Sequence, residues 1–281
     1  MITNFKVQVP ELEVILPQGN KSYRVRTLKA DDEFSIRSSL YTTTSAMNKK
    51  LNEVIYNSIA DTDKPKFEDW LKITTTKDRD ALIYGIYEIT YGDEYPLDNY
   101  RCPQCGNEES LKIKLSDGFN INVYKPQDIK VKETNEEGKE IEVVKPGKPL
   151  YEIEKEIELA PNFKVVIHQP TLAYEQIILD TIKEDDPMIK MYRKIKKLKI
   201  KQGREWNELT FEENNIDYMY VIKENLYANF KKRINKEYKD TFGIYETKVM
   251  HKHKCKQCGH EHEFSVNFID QFFLLVFQDE E

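Results

Sequence analysis

YRCPQCGNEESLKIKL (residues 100–115) and HKCKQCGHEHEFSVNF (residues 253–268) together hold every cysteine of this 281-residue chain. Each is a Cys-x-x-Cys-Gly followed by strand-like alternation, and their relation decides the fold. Cys-x-x-Cys is the shortest spacing that lets two thiolates take adjacent corners of a metal tetrahedron without strain. A glycine after the second cysteine, here Gly106 and Gly259, suits the tight turn of a zinc knuckle, where a backbone amide faces the metal-bound sulfur. Two knuckles make one four-thiolate site, so Cys102, Cys105, Cys255 and Cys258 are the expected ligands of a structural Zn2+.

Distance along the chain is the objection, and magnitudes answer it. Closing a loop of about 150 residues costs roughly 4 to 5 kcal/mol, against about 10 to 16 kcal/mol from a structural zinc. Two separate sites fit less well. The first pair has only carboxylates such as Glu108 and Glu109 nearby, whereas His251, His253, His260 and His262 crowd the second and leave open a local site of two thiolates and two imidazoles. A redox dithiol wants a helix after the pair, where the dipole lowers a thiol pKa; here strands follow. The histidines otherwise make a solvated flank of the second knuckle.

Composition, with 39% hydrophobic and 33% charged residues, is that of a globular chain with a real core. A net charge of −6 argues against a surface that tracks nucleic acid throughout. Residues 1–17 lack the basic start and apolar core of a secretory signal, which predicts a reducing compartment where paired cysteines bind metal more often than they oxidise. The longest apolar run, Phe272 to Phe277, is too short to cross a bilayer and reads as a buried or partner-facing terminal segment.

Alternation in LEVILPQGNKSYRVRTL predicts a hairpin with Val14, Leu16, Tyr23 and Val25 on one face, then a helix entered through Asp31 or Asp32. Further helices are expected from Met47 to Ala60 and from Thr76 or Asp78 as cap to Gly92, with Ala81, Leu82, Ile86 and Ile89 at helical spacing, and a short element is expected around Trp70. The stretch from Tyr124 to Ile157 is rich in Lys, Glu, Pro and Gly but alternates about a Glu-Glu-Gly centre, predicting a projecting β-hairpin. IELAPNFKVVIHQPTLAYEQIILDTI then repeats the opening order of strand, turn, strand, helix. A helix near IDYMYVIKENLYANF leads to the second knuckle.

The expectation is therefore an α+β protein of two related hairpin-plus-helix halves, each ending in a knuckle that contributes to a zinc-ribbon-like module. Residues 1–124 form the N-terminal half, 125–157 the insertion and 158–281 the C-terminal half. The basic run from Met188 to Arg204 predicts an amphipathic helix with Ile195 and Leu198 inward. Its Lys190, Arg193, Lys194, Lys196, Lys197, Lys199, Lys201 and Arg204 are the one footing for the competing class, a zinc-ribbon nucleic-acid binder. No phosphate loop, Gly-x-Ser-x-Gly or His-Glu-x-x-His occurs, His168 beside Pro170 reads as a core or turn residue, and Asp31-Asp32 and Asp185-Asp186 lie where helix caps belong. An enzyme is not expected.

Three segments carry a resemblance. LEVILPQGNKSYRVRTLKADDE, then DRDALIYGIYEITYGDEYPL running into YRCPQCG, and finally CKQCGHEHEFSVNFIDQFF with its paired Phe272 and Phe273, resemble the baseplate hub proteins of T4-like tailed phages. The match is sharpest from Asp78 to Cys105 and from Cys255 to Phe273; between Tyr124 and Ile157, and through the basic run, this chain departs from the pattern. The resemblance implies a virion subunit of the contractile tail's baseplate, or a factor for hub assembly made in the host cytoplasm. Its partners would be other baseplate and tail proteins, with self-association open, no membrane, and no dedicated nucleic-acid contact.

Overall fold

The computed structural model describes residues 9–19, 21–39, 42–134, 140–183 and 185–266. The first hairpin forms as its alternation predicts: β1 (Glu11–Ile15) pairs antiparallel with β2 (Ser22–Arg26), and Val14, Leu16, Tyr23 and Val25 are buried. α1 (Ala30–Ser39) opens with Asp31, Asp32 and Glu33 at the positive end of its dipole. α2 (Thr44–Ser58) starts ahead of the predicted Met47 because Thr43 caps it, and α3 (Phe67–Ile73) buries Trp70. α4 (Thr76–Tyr91) ends at Gly92, but its cap is Thr75 rather than Thr76 or Asp78. The Thr75 hydroxyl accepts the Asp78 N–H while the Asp78 carboxylate accepts the Thr75 N–H, so two orphan donors are satisfied reciprocally.

α4 leads directly into β3 (Glu94–Arg101) and β4 (Glu108–Lys114), whose hairpin carries the first cysteine pair at its tip. A single turn, α5 (Leu115–Gly118), sets up the short β5 (Phe119–Ile121). The hairpin expected in the Lys/Glu-rich stretch is present as β6 (Ile129–Thr134) and β7 (Glu140–Lys145), a two-stranded sheet of its own.

The next hairpin begins inside that stretch: β8 (Glu154–Ala160) pairs with β9 (Phe163–His168), and α6 (Leu172–Thr181) follows. The basic run is not the predicted helix. Only α7 (Ile189–Tyr192) is helical; β10 (Ile195–Gln202) and β11 (Glu205–Thr210) extend the sheet to the order β11-β10-β9-β8. A bulge between Ile195 and Lys197 explains the error. It inserts one residue, so Ile195 and Leu198, three apart, both point inward opposite Ile167 and Val165 and mimic helical spacing. α8 (Phe211–Asn225), α9 (Ala228–Thr241), β12 (Thr247–Lys254) and β13 (Glu261–Val266) complete the described chain; β12 and β13 carry the second cysteine pair between them. α9 was not foreseen as a separate helix.

Two apolar cores result. One gathers β1, β2, α1 to α4 and the first knuckle hairpin; the other gathers β8 to β11 and α6 to α9. The second knuckle hairpin does not join the second core. β12 pairs with β5, and Val249 and Val266 are buried in the first core. This return places the second cysteine pair beside the first. A buried polar seam joins the cores as well: Arg79 on α4 donates to Glu175 on α6 at 2.6 Å and to Asn48 on α2 at 2.6 Å. Backbone bonds from Thr76 to Pro170 and from Leu172 to Thr74 cross the same boundary.

Candidate metal centre

Both knuckles have one backbone geometry. Cys102 N–H donates to Asn107 O and Gly106 N–H to Cys102 O, each at 2.9 Å; Cys255 N–H donates to His260 O at 3.0 Å and Gly259 N–H to Cys255 O at 2.9 Å. Gly106 and Gly259 sit at φ 74° and 71°, the left-handed region that disfavours any Cβ, and nothing lies within 4 Å of where one would be. Conformation, rather than space, therefore demands glycine there.

The four sulfurs lie within 4.8 Å of one another. The cross-knuckle pairs Cys102–Cys258 and Cys105–Cys255 are both at 3.7 Å. Zn–S bonds of about 2.3 Å in a regular tetrahedron put sulfurs about 3.8 Å apart, so the spacing fits such an ion and is far too long for a disulfide. Backbone N–H groups at Cys105 and Gln104 help pull the Cys102 thiol down to about 7. Crowding by neighbouring sulfurs and burial push Cys105 up to about 12 against the opposing Asn107 amide. A cation would supply the positive charge that these competing thiols lack.

Among the described residues these cysteines are the one group of three or more His, Cys, Asp or Glu side chains whose ligand atoms converge. The local site of two thiolates and two imidazoles is not assembled. His262 instead hydrogen-bonds the Tyr100 hydroxyl and stacks on its ring, His260 stacks on His262, and His251 meets Phe264 edge-on. His253 is buried with Nε2 at 3.7 Å from Glu109. The histidines thus form, with Tyr100 and Phe264, an aromatic seam between the two hairpins rather than a solvated flank.

Glu109, weighed in the sequence only as a poor ligand, has a different place. Its Oε1 accepts the Lys256 backbone N–H and the Asn107 Nδ2–H, both at 3.1 Å, and so ties one knuckle to the other beside the sulfurs. No sequence signal announced that. His168 is buried against Tyr174, and burial together with the nearby Lys196 charge pushes it down to about 3, so it is neutral at physiological pH. That agrees with a core histidine.

Three lysines of the basic run are paired with acids of its own sheet. Lys196 and Lys197 pair with Glu154 at 2.7 and 3.3 Å, and Lys199 pairs with Glu156 and Glu208, both at 3.0 Å.

The fold and its converged thiols define an α+β protein built around paired cysteine knuckles, without a helix long and apolar enough to cross a membrane among the described residues. A family model described as T4 bacteriophage base plate protein matches residues 9–274, nearly the whole length, and the chain belongs to that family. It is a phage baseplate protein, and membership of that family implies work at the virion tail among other tail proteins. Comparison with curated proteins gives no match, and neither does comparison with solved structures.

Proposed function

We propose that this protein builds the hub region of the baseplate, as a subunit or as a hub-assembly factor, and that one structural Zn2+ on Cys102, Cys105, Cys255 and Cys258 locks its ends together. The carrying observation is that two hairpin tips separated by 150 residues or more bring four sulfurs within 4.8 Å of one another, with two cross pairs at 3.7 Å. The order of hairpin, helices and knuckle occurs twice, which supports two related halves, 1–124 and 158–281, around an insertion at 125–157; the start of β8 at Glu154 argues for moving the second boundary a few residues earlier. The role is architectural, with no turnover. A metal that closes so long a loop clamps the last hairpin beside the first knuckle, on the first core, which suits a part that must hold shape under load.

Elemental analysis of native protein tests the metal: one zinc per chain is expected, and metal-free native protein would overturn it. Mass spectrometry of purified particles separates subunit from assembly factor. The aromatic C-terminus, which lies outside the described residues, is assigned a partner contact; a chain truncated before Phe272 should keep its zinc and fail to enter baseplates. Normal incorporation of the truncated chain would remove that contact from the reading.

A further inference from the structure

A groove of about 330 Å³ lies on the first core, away from the cysteines. Its floor is the face of α4 at Ala81, Tyr84 and Gly85; one wall is β1 and the other is β5 with Phe119 and Ile121. Gly85 lets β1 descend onto the helix, since a Cβ there would meet Val14 Cγ2 at 2.2 Å. Among the described residues each wall is the terminal strand of its sheet, in the orders β1-β2 and β13-β12-β5. The walls converge at one end, where Tyr124 N–H donates to Pro17 O at 2.8 Å.

The direction of the unpaired backbone groups follows from the bonds around them. Leu16 N–H crosses to Lys21 O. Arg24, opposite Glu13, turns its N–H and C=O to Asp61 and Ala60 instead of to β1. Alternation in an antiparallel ladder then turns the backbone of Glu13 and Ile15 away from β2, toward the groove. Likewise Asn122 N–H donates to Glu246 O, which leaves Phe119 and Ile121 directed outward from β5. Two strand edges with outward donors and acceptors therefore line one groove over an apolar floor.

We propose that this groove is a strand-addition site for an extended segment of another tail protein, apolar where it meets α4 and flanked by lysine or arginine, which completes one sheet from β2 to β13. Facing backbone edges demand an extended chain. The floor demands apolar side chains, and Ile15 and Phe119 stand 52% and 39% exposed without such cover. Charge selects the flanks, because Glu13 and Glu88 line the groove and no lysine or arginine does. The site names a partner contact for the assembly role and uses nothing of the metal centre, so its failure leaves the zinc reading standing and the reverse also holds.

The probe is a capped peptide, acetyl-Lys-Val-Ile-Val-Lys-amide, added in millimolar excess to the full-length protein, with amide hydrogen exchange read by NMR. At least tenfold slower exchange at Glu13, Ile15, Phe119 and Ile121 is expected. Glu13→Pro, which removes an outward donor and the side-chain bond from the Ser22 hydroxyl but leaves the backbone bonds to β2 intact, should abolish that protection while the β2 amides exchange as before. A peptide with glutamates for lysines should protect less. No slowing with the lysine peptide, equal slowing with the glutamate peptide, or protection of these amides in the protein alone, which would mean that the chain covers its own groove, each overturns the proposal.

Discussion

Cys102 and Cys255 are buried and Cys105 and Cys258 exposed, so each knuckle gives the cluster one inner and one outer sulfur. A shared ion then depends equally on both tips: Cys102→Ser and Cys255→Ser should each reduce bound zinc from a full equivalent to a trace, measured by elemental analysis of refolded protein. Loss from one variant alone would mean a local site. At the seam between the cores, Arg79 and Glu175 are 6% and 2% exposed, and truncating one partner strands the other's charge. Arg79→Met should cost about 3 to 5 kcal/mol in urea unfolding. Asp80 beside it has one carboxylate oxygen sealed from solvent without a partner, and burial raises its carboxyl from 3.8 to about 6. The folded state thus holds a proton that the unfolded state has released between about pH 4 and 6. Its stabilising contribution is complete below about pH 4 and lost as pH rises through about 6. Asp80→Asn should therefore flatten stability over that window and raise it by about 1 to 2 kcal/mol at pH 7.5, read from urea midpoints.

Elements carry a second set of consequences. β10 is basic in sequence, but Glu154 and Glu156 on β8 and Glu208 on β11 pair with its Lys196, Lys197 and Lys199. Titration of the full-length protein with DNA and RNA should show weak association at 50 mM salt that vanishes by 200 mM, as for scattered surface cations; binding that survives would restore the nucleic-acid class. Thr75 starts α4 on the seam, where its hydroxyl and the Asp78 carboxylate exchange bonds and Asp78 also accepts the Gln18 N–H at 3.0 Å. Thr75→Ala should cost about 1 to 2 kcal/mol of unfolding free energy.

For the whole molecule, the path of the last hairpin matters most. β12 and β13 belong by sequence to the second half, yet Val249 and Val266 fill the first core. Glu109 and the Tyr100, His262 and Phe264 stack hold the knuckle hairpins together without metal. Chelation should accordingly lower the melting temperature by more than 10 °C without unfolding the chain at 25 °C, followed by circular dichroism. Complete unfolding on chelation would mean that the ion, rather than this packing, assembles the fold.

The knuckles, their glycines, the first hairpin, the helix ending at Gly92 and the presence of a hairpin in the Lys/Glu-rich stretch were all legible in the sequence, because each is set by local terms: turn conformation, alternation and capping. The fate of the basic run was not, since a bulge gives strand residues a helical spacing and only the neighbouring strands reveal it. Nor could spacing show that Glu109 joins the knuckles, that the histidines stack instead of ligating, or that two sheet edges line one groove. Those depend on which surfaces meet, and residues far apart in the chain meet only once the cores have packed.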